Sequence, residues 1–290
     1  MKKIGFIGLG VMGYPMAGHI QSSGYKVSVF NRTKKKALDW EAEYLGHVSP
    51  SVAKLSIDSD YIFLCVGNDE DVRSLILGDG GILENIKENS LIIDHTTTSS
   101  KLSVELMNIC QSKKVGYLDA PVSGGEVGAK EGKLTVMCGG NKSDLEKVYE
   151  VIDCYSKFIK LMGPSGSGQL TKMVNQIAIT GLIQSLSEAI YFSEKVGLDT
   201  QQVIDVISRG AAQSWQMQNR WKTMVEGKYD HGFAVDLMRK DLKIAIEQGN
   251  LIGASLELTQ QIDKYYEEIQ SLGGGRWDTS SLLARLKRNE

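Results

Sequence analysis

This 290-residue chain has almost no charge imbalance and is poor in cysteine and histidine. Its 33 Lys and Arg stand against 35 Asp and Glu, a formal net charge of −2, so no global field draws in nucleic acid or an anionic membrane. Cys65, Cys110, Cys138 and Cys154 contain no C-x-x-C pair and sit in apolar runs such as YIFLCVG and LTVMCGG, which reads as buried free thiols. His19, His47, His95 and His231 are scattered, and without paired or carboxylate-flanked histidines no metal site is expected. No stretch approaches the roughly 18 uninterrupted apolar residues of a membrane span. The opening MKKIGFIGLGVMG imitates a signal peptide, but glycines at 5, 8, 10 and 13 break its apolar stretch. A secretory segment is not built that way, and a cytoplasmic protein is expected.

What the chain does have is core material. Hydrophobic residues make up 42%, and at roughly 150 residues per domain the length suggests two domains. The segments KIGFIG, YKVSVF, DYIFLCV, SLIIDH, VGYLDAP, KLTVMCG and FIKLMG are short, β-branched and continuously apolar, as strands covered on both faces must be. Helical stretches separate them, which predicts a doubly wound, parallel α/β sheet. The breaker-rich run Gly163-Pro164-Ser165-Gly166-Ser167-Gly168 ends this pattern, and helical periodicity continues to the end. The expected division is therefore residues 1–163, a doubly wound α/β domain, and residues 164–290, an all-α domain. The long helix that opens the second part is apolar over more than half its circumference and is expected to be mostly buried.

Gly8-Leu9-Gly10-Val11-Met12-Gly13 is a G-x-G-x-x-G directly after the first strand and at the start of a helix. In that place the first glycine makes a tight turn, the second lets backbone approach a pyrophosphate and the third allows close helix packing. The helix N-terminus then favours the diphosphate's charge. The second strand ends at Asn31-Arg32-Thr33, where an NAD site usually places a carboxylate for the ribose 2′-hydroxyl. Three donors, one of them always cationic, favour NADP(H) over NAD(H) there. The competing reading of Arg32 is a solvated surface charge.

Three more segments complete a pattern: Asp119-Ala120-Pro121-Val122-Ser123-Gly124-Gly125, Gly166-Ser167-Gly168-Gln169-Leu170-Thr171-Lys172-Met173-Val174-Asn175-Gln176, and Phe233 with Lys240-Asp241-Leu242. With the glycine loop, in this order over nearly the whole chain, they resemble the β-hydroxyacid dehydrogenase family, which includes 3-hydroxyisobutyrate dehydrogenases and the glyoxylate and succinic semialdehyde reductases. The resemblance implies a Rossmann-type domain, a long interdomain helix, an all-α domain that builds a homo-oligomer (dimer or tetramer), and an active site in the cleft. It implies Lys172 as the catalytic acid/base, Asn175 as a residue orienting substrate and cofactor, and Ser123, Gly124 and Gly125 as the cradle of the substrate carboxylate. It also implies Val66, Gly67, Thr97 and Lys240 along the cofactor, and Phe233 and Asp241 shaping the substrate site.

The residues permit this chemistry on their own terms. Gln169, Lys172, Asn175 and Gln176 form a polar stripe on an apolar helix, which suits a cleft; a lone snorkelling lysine is the competing reading. A carbonyl that accepts a hydride develops alkoxide charge, and a protonated lysine supplies both a countercharge and a proton. Ser123-Gly124-Gly125 after a strand can gather a hydroxyl and backbone N–H groups around an anion, or be only a turn after Pro121. The expected activity is NADPH-dependent reduction of a small aldehyde-acid or 2-oxo acid, of the succinic semialdehyde or glyoxylate type. The alternatives are an NAD-dependent 3-hydroxyisobutyrate dehydrogenase and, in another class, a catalytically silent nucleotide-binding module.

Overall fold

The computed structural model describes residues 2–288. By internal packing the chain forms two compact units, one ending at Lys172 and the other starting at Met173. The first unit carries β1 (Lys3–Ile7), α1 (Gly13–Ser22), β2 (Lys26–Phe30), α2 (Lys34–Tyr44), β3 (His47–Val48), α3 (Val52–Asp58), β4 (Tyr61–Leu64), α4 (Asp69–Leu77), α5 (Ile82–Asn85) and β5 (Leu91–Asp94). There follow α6 (Ser100–Ser112), β6 (Gly116–Asp119), β7 (Val122–Ser123), α7 (Gly125–Lys130), β8 (Leu134–Gly139), α8 (Lys142–Asp153) and β9 (Ser156–Gly163). The helix α9 (Ser167–Lys195) contains the division between the units.

The strands run in the order β3-β2-β1-β4-β5-β6-β8-β7, with β9 paired to β8. From β3 to β6 every pairing is parallel. This is the doubly wound order, in which the direction of winding reverses between β1 and β4 and leaves a crevice at the strands' carboxyl ends. Alternation along each strand sorts the core onto two faces. Phe6, Tyr61, Phe63, Leu91 and Ile93 pack on one side, while Ile7, Ile62, Leu64 and Ile92 pack on the other. Both faces are dry, which is why the strands read as unbroken apolar runs.

The sheet is not parallel throughout, as the strand pattern had suggested. β8 runs antiparallel to β6 and β7. Only the short α7 and its flanking turns separate β7 from β8, too little chain for a parallel crossover, whereas an antiparallel return needs only a short link. Helix starts are set locally by capping side chains. Ser51 accepts from Lys54 N, Asn68 from Asp71 N and Ser99 from Leu102 N, each contributing about 1 kcal/mol.

The second unit adds α10 (Thr200–Ile207), α11 (Trp215–Val225), α12 (Val235–Ile252), α13 (Glu257–Ser271) and α14 (Leu282–Lys287), with short 3-10 turns before α14. Its core has two parts. Ile183, Val235, Met238, Leu242, Ile262 and Tyr266 form one, and Leu186, Ile190, Ile204, Met217 and Leu283 the other. Here the expectation for the long helix needs correcting. α9 buries the stripe of Ile183, Leu186 and Ile190, yet Val174 is 66% and Phe192 67% exposed. A helix apolar nearly all round presents more surface than one side of neighbours can cover. Among the described residues no helix is long and apolar enough to cross a membrane.

Candidate active site

The glycine loop joins β1 to α1 at the winding reversal, and steric fit fixes the part each glycine plays. Gly8 has φ of +100°, and a Cβ there would lie 2.2 Å from the Cys65 carbonyl oxygen at the end of β4. A Cβ on Gly13 would lie 2.0 Å from the Gly8 carbonyl oxygen, so α1 can start this close to β1 only without a side chain. Gly10 is different: nothing stands within 4 Å of its would-be Cβ. It faces open space that a pyrophosphate can enter. The first turn of α1 carries no acidic side chain, which leaves its partial positive charge available to an anion. Leu9, Val11 and Met12 complete the loop.

Asn31 and Arg32 do different things. The Asn31 side chain turns inward: its Oδ1 accepts from Leu9 N at 2.9 Å and its Nδ2 donates to the Thr33 carbonyl at 3.0 Å. Its oxygen and one of its two Nδ2 protons shape the glycine loop and the end of β2, a role the sequence reading did not give that residue. Arg32 and Thr33 are exposed at the end of β2, followed by the exposed Lys34, Lys35 and Lys36. The residues thus fit a dinucleotide, with the loop for its diphosphate and cationic side chains where a ribose would end.

Across the reversal, the turn after β5 is held on both sides. Val66 N donates to Thr96 Oγ1 at 3.1 Å. The buried amide of Gln169 receives Thr98 N at 3.0 Å and donates to the Thr96 carbonyl at 2.7 Å. Thr97 is presented, half-buried, between the two clamped neighbours. Gln169 was expected on an open polar stripe, but it is fully enclosed and works as a brace. Spacing assigns a residue to a helix face; it does not identify the partner that face meets. Val66 and Gly67 lie at the end of β4, next to this turn.

Lys172 lies one turn beyond Gln169 on α9 and is 8% exposed, with its Nζ donating to the Val122 carbonyl at 2.9 Å. Ser123, next in the chain, pairs with Thr135 through β7 and β8 and is half-buried. Gly124 and Gly125 turn the chain into α7 with φ of +138° and +62°. The structure therefore joins the amine to the strand that carries the serine, and the snorkelling alternative does not apply.

The helical unit has its own polar chain. Asn175 Nδ2 donates to Gln176 Oε1 at 2.8 Å, and Gln176 Nε2 donates to Asp241 Oδ2 at 2.7 Å. Lys240 Nζ lies 3.1 Å from Asp241 Oδ1, and Asp241 is almost wholly buried. Phe233 is placed apart from this chain. Its ring packs on the Val235 and Met238 cluster, and its N–H donates to Asp278 Oδ2 at 2.8 Å.

Sequence reasoning missed two residues that organise the first unit. Asp119 is buried at the end of β6 and accepts from Gly166 N and Gln169 N at 2.7 and 3.0 Å. Burial pushes its carboxyl above the usual range while those backbone donors pull it back. The usable signal was the glycine before α9, a helix start with no capping side chain of its own. His95 is the second. Its Nδ1 lies 2.6 Å from the Ala120 carbonyl, which can only accept, so Nδ1 carries the proton and Nε2 accepts from Tyr155 Oη at 2.8 Å.

Burial lowers His95 to about 4. It raises neighbouring Asp94 to about 7, against donors from Thr96 and Tyr117. The two act oppositely on stability. A histidine neutral when folded but protonated when unfolded makes stability rise with pH up to its ordinary value of 6.5. A carboxyl protonated when folded but ionised when unfolded makes stability fall as pH rises from 3.8 to about 7. Asp94→Asn removes the falling part. Compared with the parent, its unfolding free energy from urea melts is expected to climb by on the order of 3 kcal/mol between about pH 4 and 7. Parallel profiles would refute this account of the pair.

Comparison with known proteins agrees with the geometry. Residues 3–163 match the family described as the NAD binding domain of 6-phosphogluconate dehydrogenase. Residues 166–286 match the one described as the NAD-binding region of NADP-dependent 3-hydroxyisobutyrate dehydrogenase. The chain is 48% identical to an oxidoreductase of Shewanella frigidimarina over 289 residues, 100% of this chain and 99% of that one. It is 32% identical to 2-hydroxy-3-oxopropionate reductase of Escherichia coli, covering 98% of this chain and 97% of the relative. The solved 3-hydroxyisobutyrate dehydrogenase of Mycobacterium tuberculosis superposes with a TM-score of 0.88 at 27% identity, covering 99% of both chains. With a loop at the winding reversal shaped for a dinucleotide and both halves matched in order, the chain belongs to the β-hydroxyacid dehydrogenase family of NAD(P)-binding oxidoreductases.

Proposed function

We propose that this enzyme reduces a small aldehyde-acid or 2-oxo acid, of the succinic semialdehyde or glyoxylate type, using NADPH. The observation that carries the reading is the enclosed Lys172 amine on the Val122 carbonyl, beside Ser123. When bound, the nicotinamide supplies a hydride to the substrate carbon. Gly8 to Gly13 hold the diphosphate, Arg32 and Thr33 take the 2′-phosphate, and Val66, Gly67 and Thr97 line the cofactor. Ser123, Gly124 and Gly125 hold the carboxylate and the reacting oxygen. Lys172 then gives its proton to the developing alkoxide, where a fixed cation in a dry surrounding acts most strongly. In the helical unit we assign Asn175, Phe233, Lys240 and Asp241 to substrate and cofactor binding, with Gln176 fixing the Asn175 amide. The apolar side chains left exposed on α9, Val174 and Phe192 among them, support a homo-oligomer.

A panel of aldehyde-acids and 2-oxo acids with NADPH, followed by absorbance, tests the reading; no reduction of any member rejects it. The name of the Mycobacterium tuberculosis relative also favours a second substrate, 3-hydroxyisobutyrate, and the second reading is its oxidation with NAD. Cofactor titration separates the two. NADPH is expected to bind at least about tenfold tighter than NADH, and Arg32→Ala to remove most of that difference. Tighter binding of NADH selects the second reading.

A further inference from the structure

Asp119 and Val122, three residues apart at one corner of the chain, grip the two ends of the same stretch of α9. At the lower end, Asp119 Oδ1 accepts from Gly166 N at 2.7 Å and shares the Ser165 hydroxyl proton, at 3.2 Å, with the Ser103 carbonyl at 3.1 Å, and Oδ2 accepts from Gln169 N at 3.0 Å. At the upper end, the Val122 carbonyl receives Lys172 Nζ at 2.9 Å. The packing leaves no slack between them. A Cβ on Gly168 would lie 2.4 Å from the Met137 carbonyl oxygen and 2.7 Å from that of Asp119; one on Gly139 would lie 2.6 Å from Asp119 Oδ1. The helix start is pressed against the ends of β6 and β8, and the carboxylate lies between them.

We propose that Asp119 is a positioning residue for the reaction: by anchoring the first turn of α9 it fixes where the Lys172 amine stands against Val122 and Ser123. The inference rests on Lys172 being the proton donor. A carboxylate suits this task because it is acceptor-only, and the groups bonded to it, Gly166 N–H, Gln169 N–H and the Ser165 hydroxyl, are donors. An amide in the same place must turn its NH2 toward one of those donors, either the Gln169 N–H or the Gly166 and Ser165 pair, and that side of the helix start is pushed away. A shift of about 1 Å in a reacting group lowers the rate by about a hundredfold. The hydrogen bonds of the Asp119 side chain go to Ser165, Gly166 and Gln169 at the start of α9, so cofactor affinity is expected to change little.

The test is a double-mutant cycle measured with NADPH and the most rapidly reduced member of the panel. Asp119→Asn is expected to lower kcat about ten- to a hundredfold, with KM for NADPH changed by less than about threefold. In the Lys172→Ala background the same substitution is expected to lower kcat by less than about twofold, because there is no amine left to misplace. An Asp119→Asn enzyme within about threefold of the parent overturns the proposal, and so does an equal loss in both backgrounds. If Asp119→Asn does not fold, Ser165→Ala keeps the carboxylate and removes one of its donors. It is expected to lose about three- to fivefold in the parent and nothing in the Lys172→Ala background; equal losses again overturn the proposal. Failure of the proton-donor reading looks different, since Lys172→Ala alone would then retain near-normal turnover.

Discussion

Lys172→Ala is expected to reduce turnover at least about a hundredfold while leaving NADPH affinity within about a factor of three. Lys172 is 8% exposed and its amine rests on a carbonyl of the strand that carries Ser123. On the proposed role, removing it deletes both the proton and the charge that would meet the developing alkoxide, interactions made only in the transition state. The bonds that hold Leu9 and the end of β2 run through Asn31, so binding of the dinucleotide is expected to survive. Single-turnover rates and fluorescence titration of NADPH read the two effects separately. Near-normal turnover in this variant would dispose of the assignment.

Gly10→Val is expected to weaken NADPH binding at least about fiftyfold with the folding stability changed by less than about 0.5 kcal/mol. The added Cβ enters space in which, apart from the two chain neighbours, no protein atom stands within 4 Å, so the branch at Cβ starts in open space. A diphosphate approaching the backbone is obstructed, because the branched methyls occupy the path that glycine leaves open. Gly13→Ala is the useful contrast, since its methyl would sit 2.0 Å from the Gly8 carbonyl oxygen and must damage the fold itself. Unaltered NADPH affinity in a stable Gly10→Val protein would remove the loop from the cofactor site.

The legibility of this chain follows from which interactions repeat along it. Strands such as Tyr61–Leu64 and Leu91–Asp94 are buried on both faces, and their continuous apolar runs announce that burial. β3 and β7, with two residues each, are too short to carry a period. The return of β8 depends on the length of a connection more than on the composition of a strand. The glycine loop was readable because steric rules act at fixed spacing. Asn31 was not fully readable: an amide donates and accepts equally, and only the fold shows that its oxygen meets Leu9 N. The same limit hid Gln169, where a helix face could be inferred but not the Thr96 and Thr98 backbone it braces. Asp119 acts on residues some 50 positions away, a pairing that no local pattern records.

The place where the chain divides has a consequence for how such an enzyme can be modified. The amine at Lys172 closes the first unit and the glycine loop lies in that same unit. The amine donates to the carbonyl of Val122, on a strand of the sheet. On the proposed assignment, substitutions at Phe233 would retune which acid is admitted while the Lys172–Val122 bond and the nucleotide loop, both in the first unit, keep their own geometry.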